Sequence, residues 1–456
     1  MALLNIWLRI NSNESRENNL ISKKMLKIIT SILTLSLLLT LYSNASVTNN
    51  KLDVLSYHLT IEPNIKEKSV SGTVAINFEV NTDVDSVIFS AGKLKISGVR
   101  GEYVKKFHKR NHNLVIYLSK RDSVKNKIVV DFYGHPKKGL KFDTVNNQAY
   151  TVYFTSDWMV CNDSPADKAL FYLDIKVPIE KLCIASGELV TKIQKNDKML
   201  YSYRQNTASP SYTYGFAIGT YNEAEEKYRD VSLRYYSQKY SSVQLMNIFK
   251  ETTGMISFFE EKSGVPYFQS TYTQILTGNN YQEMSGFSVL KNIYGDLALQ
   301  DSTETNLISH EMAHQWWGNM ITCKDWNHFW LNEGMATFLS AAYNEYRFGK
   351  QVYLSNIESY YKVYEGIKER GNDKSLVFDE WTNPSKDDRN LVYFKGAYVI
   401  HLLKEKLGDE VFWNAIGFYS TKYFGKSVET ADFQKSIEES SGIDLEDFFN
   451  EWIYLK

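Results

Sequence analysis

The densest chemistry in the chain is the segment His310-Glu311-Met312-Ala313-His314. Two imidazoles four residues apart lie on nearly the same face of an α-helix, so one zinc ion at about 2.0–2.1 Å can accept a nitrogen from each. With 8 His and 30 Glu among 456 residues, random order would produce this pattern only about 0.01 times. After 18 further residues comes Glu333, inside Trp330-Leu-Asn-Glu-Gly-Met-Ala-Thr-Phe338. Two helices joined by a loop can present two imidazoles and one carboxylate to a metal, leaving the fourth position to water.

These residues need rigid supports. The spacing predicts a helix through the His pair, capped by Asp301 with Glu304 and ended near Gly318, and a second helix from Trp330 through Tyr346 that stops at Gly349. From about 51 to 220 the hydrophobic period is two: Val70, Val74, Ile76 and Phe78 alternate with polar residues, and Asn113–Leu118 and Lys127–Phe132 repeat the pattern. Beyond Gly219 the period becomes helical, as in Leu245, Ile248, Thr252, Met255 and Phe259, with a stop near Gly264, and a small sheet is expected around Thr271 to Leu290. The expected fold class is α+β multidomain. A β-sandwich-like domain over 46–222 precedes a mainly α catalytic domain over 223–456.

With these motifs the sequence resembles the aminopeptidase N-like gluzincins. The resemblance rests on His310, Glu311, His314 and Glu333, on Trp316-Trp317-Gly318-Asn319, on Tyr393-Phe-Lys395-Gly396-Ala397, and on Val160-Cys161-Asn-Asp163-Ser-Pro165-Ala-Asp-Lys168-Ala169. It covers about 50 to 456, and it implies a thermolysin-like catalytic domain with one zinc per chain held by His310, His314 and Glu333. The resemblance also makes Glu311 the general base and Tyr393 the stabiliser of the oxyanion, Tyr393 standing at the head of a helix over Lys395 to Leu407. The implied function is a zinc-dependent aminopeptidase that hydrolyses N-terminal residues from peptides with a zinc-activated water. Its partners would be peptides with a free N-terminus. The alternatives are a gluzincin endopeptidase and a catalytically blocked scaffold that acts as a binding protein. The resemblance further implies a two-domain short form without the helical domain that follows in many relatives.

Departures from the family pattern are concentrated at one strand. Where the family has Gly-x-Met-Glu-Asn, this chain has Asn280-Tyr281-Gln282-Glu283-Met284, so Glu283 alone remains as the implied anchor of the substrate's α-ammonium. The second carboxylate or amide that the family supplies from its β domain has no clear match between Thr151 and Trp158, and Gln148 is a weak candidate. Cys161, Asp163, Pro165 and Lys168 are expected to shape a buried loop. His328 and His401 lack a ligand partner at suitable spacing and are expected to pack, as are Trp316, Trp317, Trp326 and Trp330.

Composition narrows the classes. Lys+Arg 52 against Asp+Glu 53 gives net −1, with no basic excess to attract nucleic acid. Three cysteines, Cys161, Cys183 and Cys323, provide neither a cystine framework nor a thiolate zinc site. Near the start, Ile28 to Leu41 is apolar, follows Lys23, Lys24 and Lys27, and precedes Ser43-Asn44-Ala45. It reads as a signal peptide over 1–45, with Met25 a possible true start, and it predicts a secreted or periplasmic protein. A membrane enters only if that segment is an uncleaved anchor.

Overall fold

The computed structural model describes residues 52–379, 381 and 383–455. The apolar segment Ile28 to Leu41 and the cleavage site after Ala45 lie outside them. Lys51–Lys456 form one compact unit, in which a β-rich N-terminal half is followed by a helical half.

The β half is built from strands whose inward residues alternate. A seven-stranded sheet runs in the order Glu188–Lys195, Lys198–Pro210, Lys168–Pro178, Asp53–Asn64, Ser69–Glu79, Lys125–Gly134, Lys95–Arg100. All neighbours are antiparallel except Asp53–Asn64 and Lys168–Pro178, which pair in parallel with Ser56 opposite Leu170. Val74, Ile76 and Phe78 are completely buried, as a period of two requires when one sheet face covers a core. A four-stranded sheet and a three-stranded sheet complete this half.

The second half opens with a sheet, larger than the small one anticipated. Its five strands run Asn222–Tyr228, Val231–Ser237, Thr271–Leu276, Phe287–Leu290, Gln282–Met284. The last is an edge strand, antiparallel to Phe287–Leu290 with Glu283 opposite Ser288. The helices are α1 (Ser242–Ile248), α2 (Thr252–Ser263), α3 (Asn292–Gln300), α4 (Asn306–Ala313), α5 (Trp330–Phe348), α6 (Lys350–Glu369), α7 (Lys386–Asn390), α8 (Gly396–Leu407), α9 (Asp409–Tyr423), α10 (Thr430–Ser441) and α11 (Glu446–Phe449).

Three local expectations change. The helix foreseen through Leu245 and Phe259 is two, α1 and α2, with a break at Phe249 to Glu251; Gly264, in the left-handed region, ends the second. The metal helix starts at Asn306, with Thr305 as N-cap, because Asp301 closes its own turn by accepting from the Thr303 N–H and hydroxyl. It also ends before Gly318, at Ala313. All three cysteines are buried and free, and Trp316, Trp317 and Trp330 are core residues. His328 meets Thr430, and His401 meets Tyr353, as packing residues do.

Lys168 joins the two halves. Its ammonium reaches the carbonyls of Asn319, Met320 and Lys426, and the Tyr212 hydroxyl donates to the Gly318 carbonyl at 2.9 Å. Both contacts hold the turn that follows the metal helix.

Candidate active site

Helix α4 carries His310 and Glu311 and is closed by His314 as its C-cap, and α5 carries Glu333 in its first turn. The Nε2 atoms of His310 and His314 stand 3.0 Å apart, and Glu333 Oε2 lies 3.3 and 3.4 Å from them. The three side chains form a group whose ligand atoms lie within 4.8 Å of one another.

Tautomers decide what this group needs. His314 Nδ1 lies 3.0 Å from the Trp317 carbonyl, which can only accept, so the proton sits on Nδ1 and Nε2 presents a lone pair. Gly318 makes that contact possible: at φ 137° a Cβ there would come within 2.7 Å of His314 Nδ1. His310 Nδ1 faces the Thr337 hydroxyl at 3.4 Å, which leaves its Nε2 turned inward too. Two ring nitrogens and a carboxylate therefore converge, and Glu333 Oε2 is buried without a hydrogen-bond partner. Such a donor set calls for a cation, and two imidazoles with one carboxylate suit a single zinc ion.

The charge balance agrees. Burial pushes Glu311 well above the usual carboxylate range, and the neighbouring Glu283 pushes it further. Burial likewise raises Glu283, and the Glu333 carboxylate adds to the rise. Glu311 Oε2 is a second buried oxygen without a partner. No described Lys or Arg forms an ion pair with Glu283, Glu311 or Glu333, so the site is short of positive charge.

The other two residues singled out arrive from distant segments. Tyr393 lies in a π-helical turn, Leu391–Lys395, leading into α8; its ring stacks on His310 with centroids 5.8 Å apart and planes 18° off parallel. Such turns recur at functional sites because they rotate one residue out of register. Lys395 anchors the turn, its buried ammonium donating to Asp373 at 2.7 Å and to the Lys374 carbonyl at 2.9 Å. Glu283 is brought in by Gln315, the residue after His314. Gln315 donates to the Met284 carbonyl at 3.0 Å and accepts from the Gly286 N–H at 2.7 Å.

Gln148 does not join them. Its amide is taken up by Gln238 at 2.8 Å and by the Thr277 hydroxyl at 3.0 Å. In its place the β half contributes Tyr153, whose phenol is raised by burial and then by the carboxylates of Glu283, Glu311 and Glu333. Nothing local in the sequence separated Tyr153 from the other 31 tyrosines. Gln315 had one signal, its position directly after a metal-motif histidine.

A β-rich half followed by a helical half that presents two histidines and a glutamate is the arrangement of the gluzincin fold. The chain belongs to peptidase family M1: residues 54–213 match the Peptidase M1 N-terminal domain and residues 248–452 the Peptidase family M1 domain. Aminopeptidase M1 of Arabidopsis thaliana is 22% identical over 441 residues, 87% of this chain and 49% of the relative. Probable aminopeptidase 1 of Sulfurisphaera tokodaii is 22% identical over 396 residues, 81% of this chain and 49% of the relative. The chain thus spans about half the length of the curated relatives it matches. An M1 zinc metallopeptidase from Deinococcus radiodurans shares the fold with a TM-score of 0.76 at 20% identity, over 89% of this chain and 94% of that one.

Proposed function

We propose that this protein is a zinc-dependent aminopeptidase that removes N-terminal residues from peptides. The observation that carries the reading is the convergence of His310, His314 and Glu333 on one point, with Glu311, Tyr393 and Glu283 around it. Among the relatives, those cited above are named as aminopeptidases.

His310, His314 and Glu333 would hold the zinc, which when bound supplies a Lewis acid for the scissile carbonyl and acidifies water for attack. Glu311 accepts the proton of the attacking water on its carboxylate and passes it to the departing amine. The Tyr393 phenol donates a hydrogen bond to the oxyanion as the carbonyl becomes tetrahedral. Glu283 receives the substrate's α-ammonium. A free ammonium entering the cleft must shed water, and a fixed carboxylate offsets that cost with a charge-assisted hydrogen bond. The chain end is thereby held so that the first peptide bond is the one attacked.

A panel of aminoacyl-arylamides, with and without N-acetylation, tests this. Free-amine substrates should be cleaved and acetylated ones poorly. Glu283→Ala should lower kcat/KM for the free-amine set by about 10²-fold with zinc retained. Equal cleavage of both sets by the wild type would replace the aminopeptidase reading with an endopeptidase.

The site of action we propose is outside the cytoplasm, secreted or periplasmic, on the strength of the Lys23 to Ala45 pattern. No helix among the described residues is long and apolar enough to cross a membrane. N-terminal sequencing of the protein recovered from cell fractions tests it; a cytoplasmic protein retaining Lys23 to Ala45 would refute it.

A further inference from the structure

Gln282 stands where the family pattern has an apolar Met, and it is completely buried. Both ends of its amide are engaged across the cleft wall. Its Oε1 accepts the Tyr153 backbone N–H at 2.5 Å, and its Nε2 donates to Glu283 Oε2 at 3.4 Å. One side chain therefore ties a loop of the β half to the carboxylate on the edge strand of the other half.

The loop it grips is strained. Tyr153 has φ 42°, a region a non-glycine residue keeps only where its surroundings over-determine it. The Phe154 N–H closes the turn onto the Val152 carbonyl at 2.7 Å. Thr151, next to the turn, fixes its base by accepting from the Phe216 N–H at 2.9 Å. The strain has a visible result. Tyr153 keeps 39% of its surface open, while its phenol is near enough to Glu283, Glu311 and Glu333 to feel all three.

We propose that Gln282 is a positioning residue that locks the Glu283 carboxylate to the Tyr153 turn, and that the Tyr153 ring is the β-half wall of the pocket for the substrate's first residue and its α-ammonium. The chemistry requires an amide of this length. A Glu could accept from Tyr153 but would repel Glu283, a Met could do neither, and an Asn is one methylene short. An aromatic wall also suits an ammonium, since the ring face attracts a cation that the neighbouring carboxylate has already desolvated. The inference rests on Glu283 as the amine anchor, and it identifies how this chain compensates for the amide that Gln148 does not deliver.

The test compares a free-amine arylamide with its desamino analogue, in which hydrogen replaces the α-amine. Gln282→Met should raise KM for the free-amine substrate about tenfold or more with kcat within about threefold, and should leave zinc content and the slow reaction of the desamino analogue unchanged. Gln282→Glu, which keeps length and acceptor, should raise KM at least as much, and it gives the same readout should Gln282→Met fail to fold. Tyr153→Gly, which relieves the turn while removing the ring, should raise KM without lowering the melting temperature. If Glu283→Ala raises KM and both Gln282 variants do not, the positioning role is overturned while the amine anchor stands. Should Glu283→Ala also leave KM unchanged, the anchor fails and this inference with it. A parallel loss of kcat on both substrates would make Gln282 merely structural.

Discussion

Gly334 and Gly396 meet backbone to backbone: a Cβ on Gly334 would lie 2.9 Å from the Cα of Gly396, and one on Gly396 would lie 3.0 Å from the Cα of Gly334. The first follows Glu333 directly, and the second comes three residues after Tyr393. Helix α5 and the start of α8 therefore touch beside two site residues, Glu333 in α5 and Tyr393 in the turn that leads into α8. Their approach fixes the distance between a metal-facing carboxylate and the phenol.

Gly334→Ala should force these helices apart, since the new methyl would also press on the Val392 carbonyl at 3.1 Å. Overpacking of this kind costs about 1–3 kcal/mol. The melting temperature should fall, and kcat should drop at least about tenfold, because small misplacements of catalytic groups are costly. A variant with wild-type melting and kcat would show that the contact positions nothing.

Purified protein should contain one zinc per chain. His314→Ala and Glu333→Ala should each lose it, and chelation should lower the melting temperature of the wild type, because binding energy at such a site adds to folding energy. Stoichiometric metal in both variants would place the site elsewhere.

Glu311→Gln should keep its zinc yet lose kcat severely, since an amide cannot take the proton from water. Tyr393→Phe should cost roughly 10²–10³-fold in kcat, the scale for one oxyanion donor. Steady-state kinetics on a single arylamide decides both, and an unchanged kcat in Tyr393→Phe would move the oxyanion role to another group.

Asp167 gives a pH signature in the β half. Burial lifts its carboxyl from 3.8 to about 7, although the Val54 N–H donates to it at 2.9 Å. Between those values the native state binds more protons than the unfolded chain, so stability falls as pH rises through the window. Asn at this position can still accept from Val54 but does not titrate. Asp167→Asn should therefore gain stability relative to wild type between pH 4 and pH 7, measured by denaturant unfolding; a constant difference across that range would refute the assignment.

His310, Glu311 and His314 were legible in the sequence because helical periodicity is local: four residues bring two side chains to one face whatever the rest of the chain does. The alternation in Ser69–Glu79 and the switch to helical spacing after Gly219 were legible for the same reason, and they conveyed a β-rich half before a helical one. Glu333 and Tyr393 needed the family pattern as well, since no short-range period links them to the histidines. Tertiary contacts alone decided the rest. Gln148 is drawn away by Gln238 and Thr277, which lie 90 and 129 residues from it, and Glu283 is delivered through its neighbour Met284, which Gln315 holds from 31 residues away. Tyr153 enters the cleft through a positive-φ turn held by Gln282, 129 residues distant. Such hydrogen bonds join groups with no fixed separation along the chain, so they leave no periodicity to read; they exist only once the chain has folded.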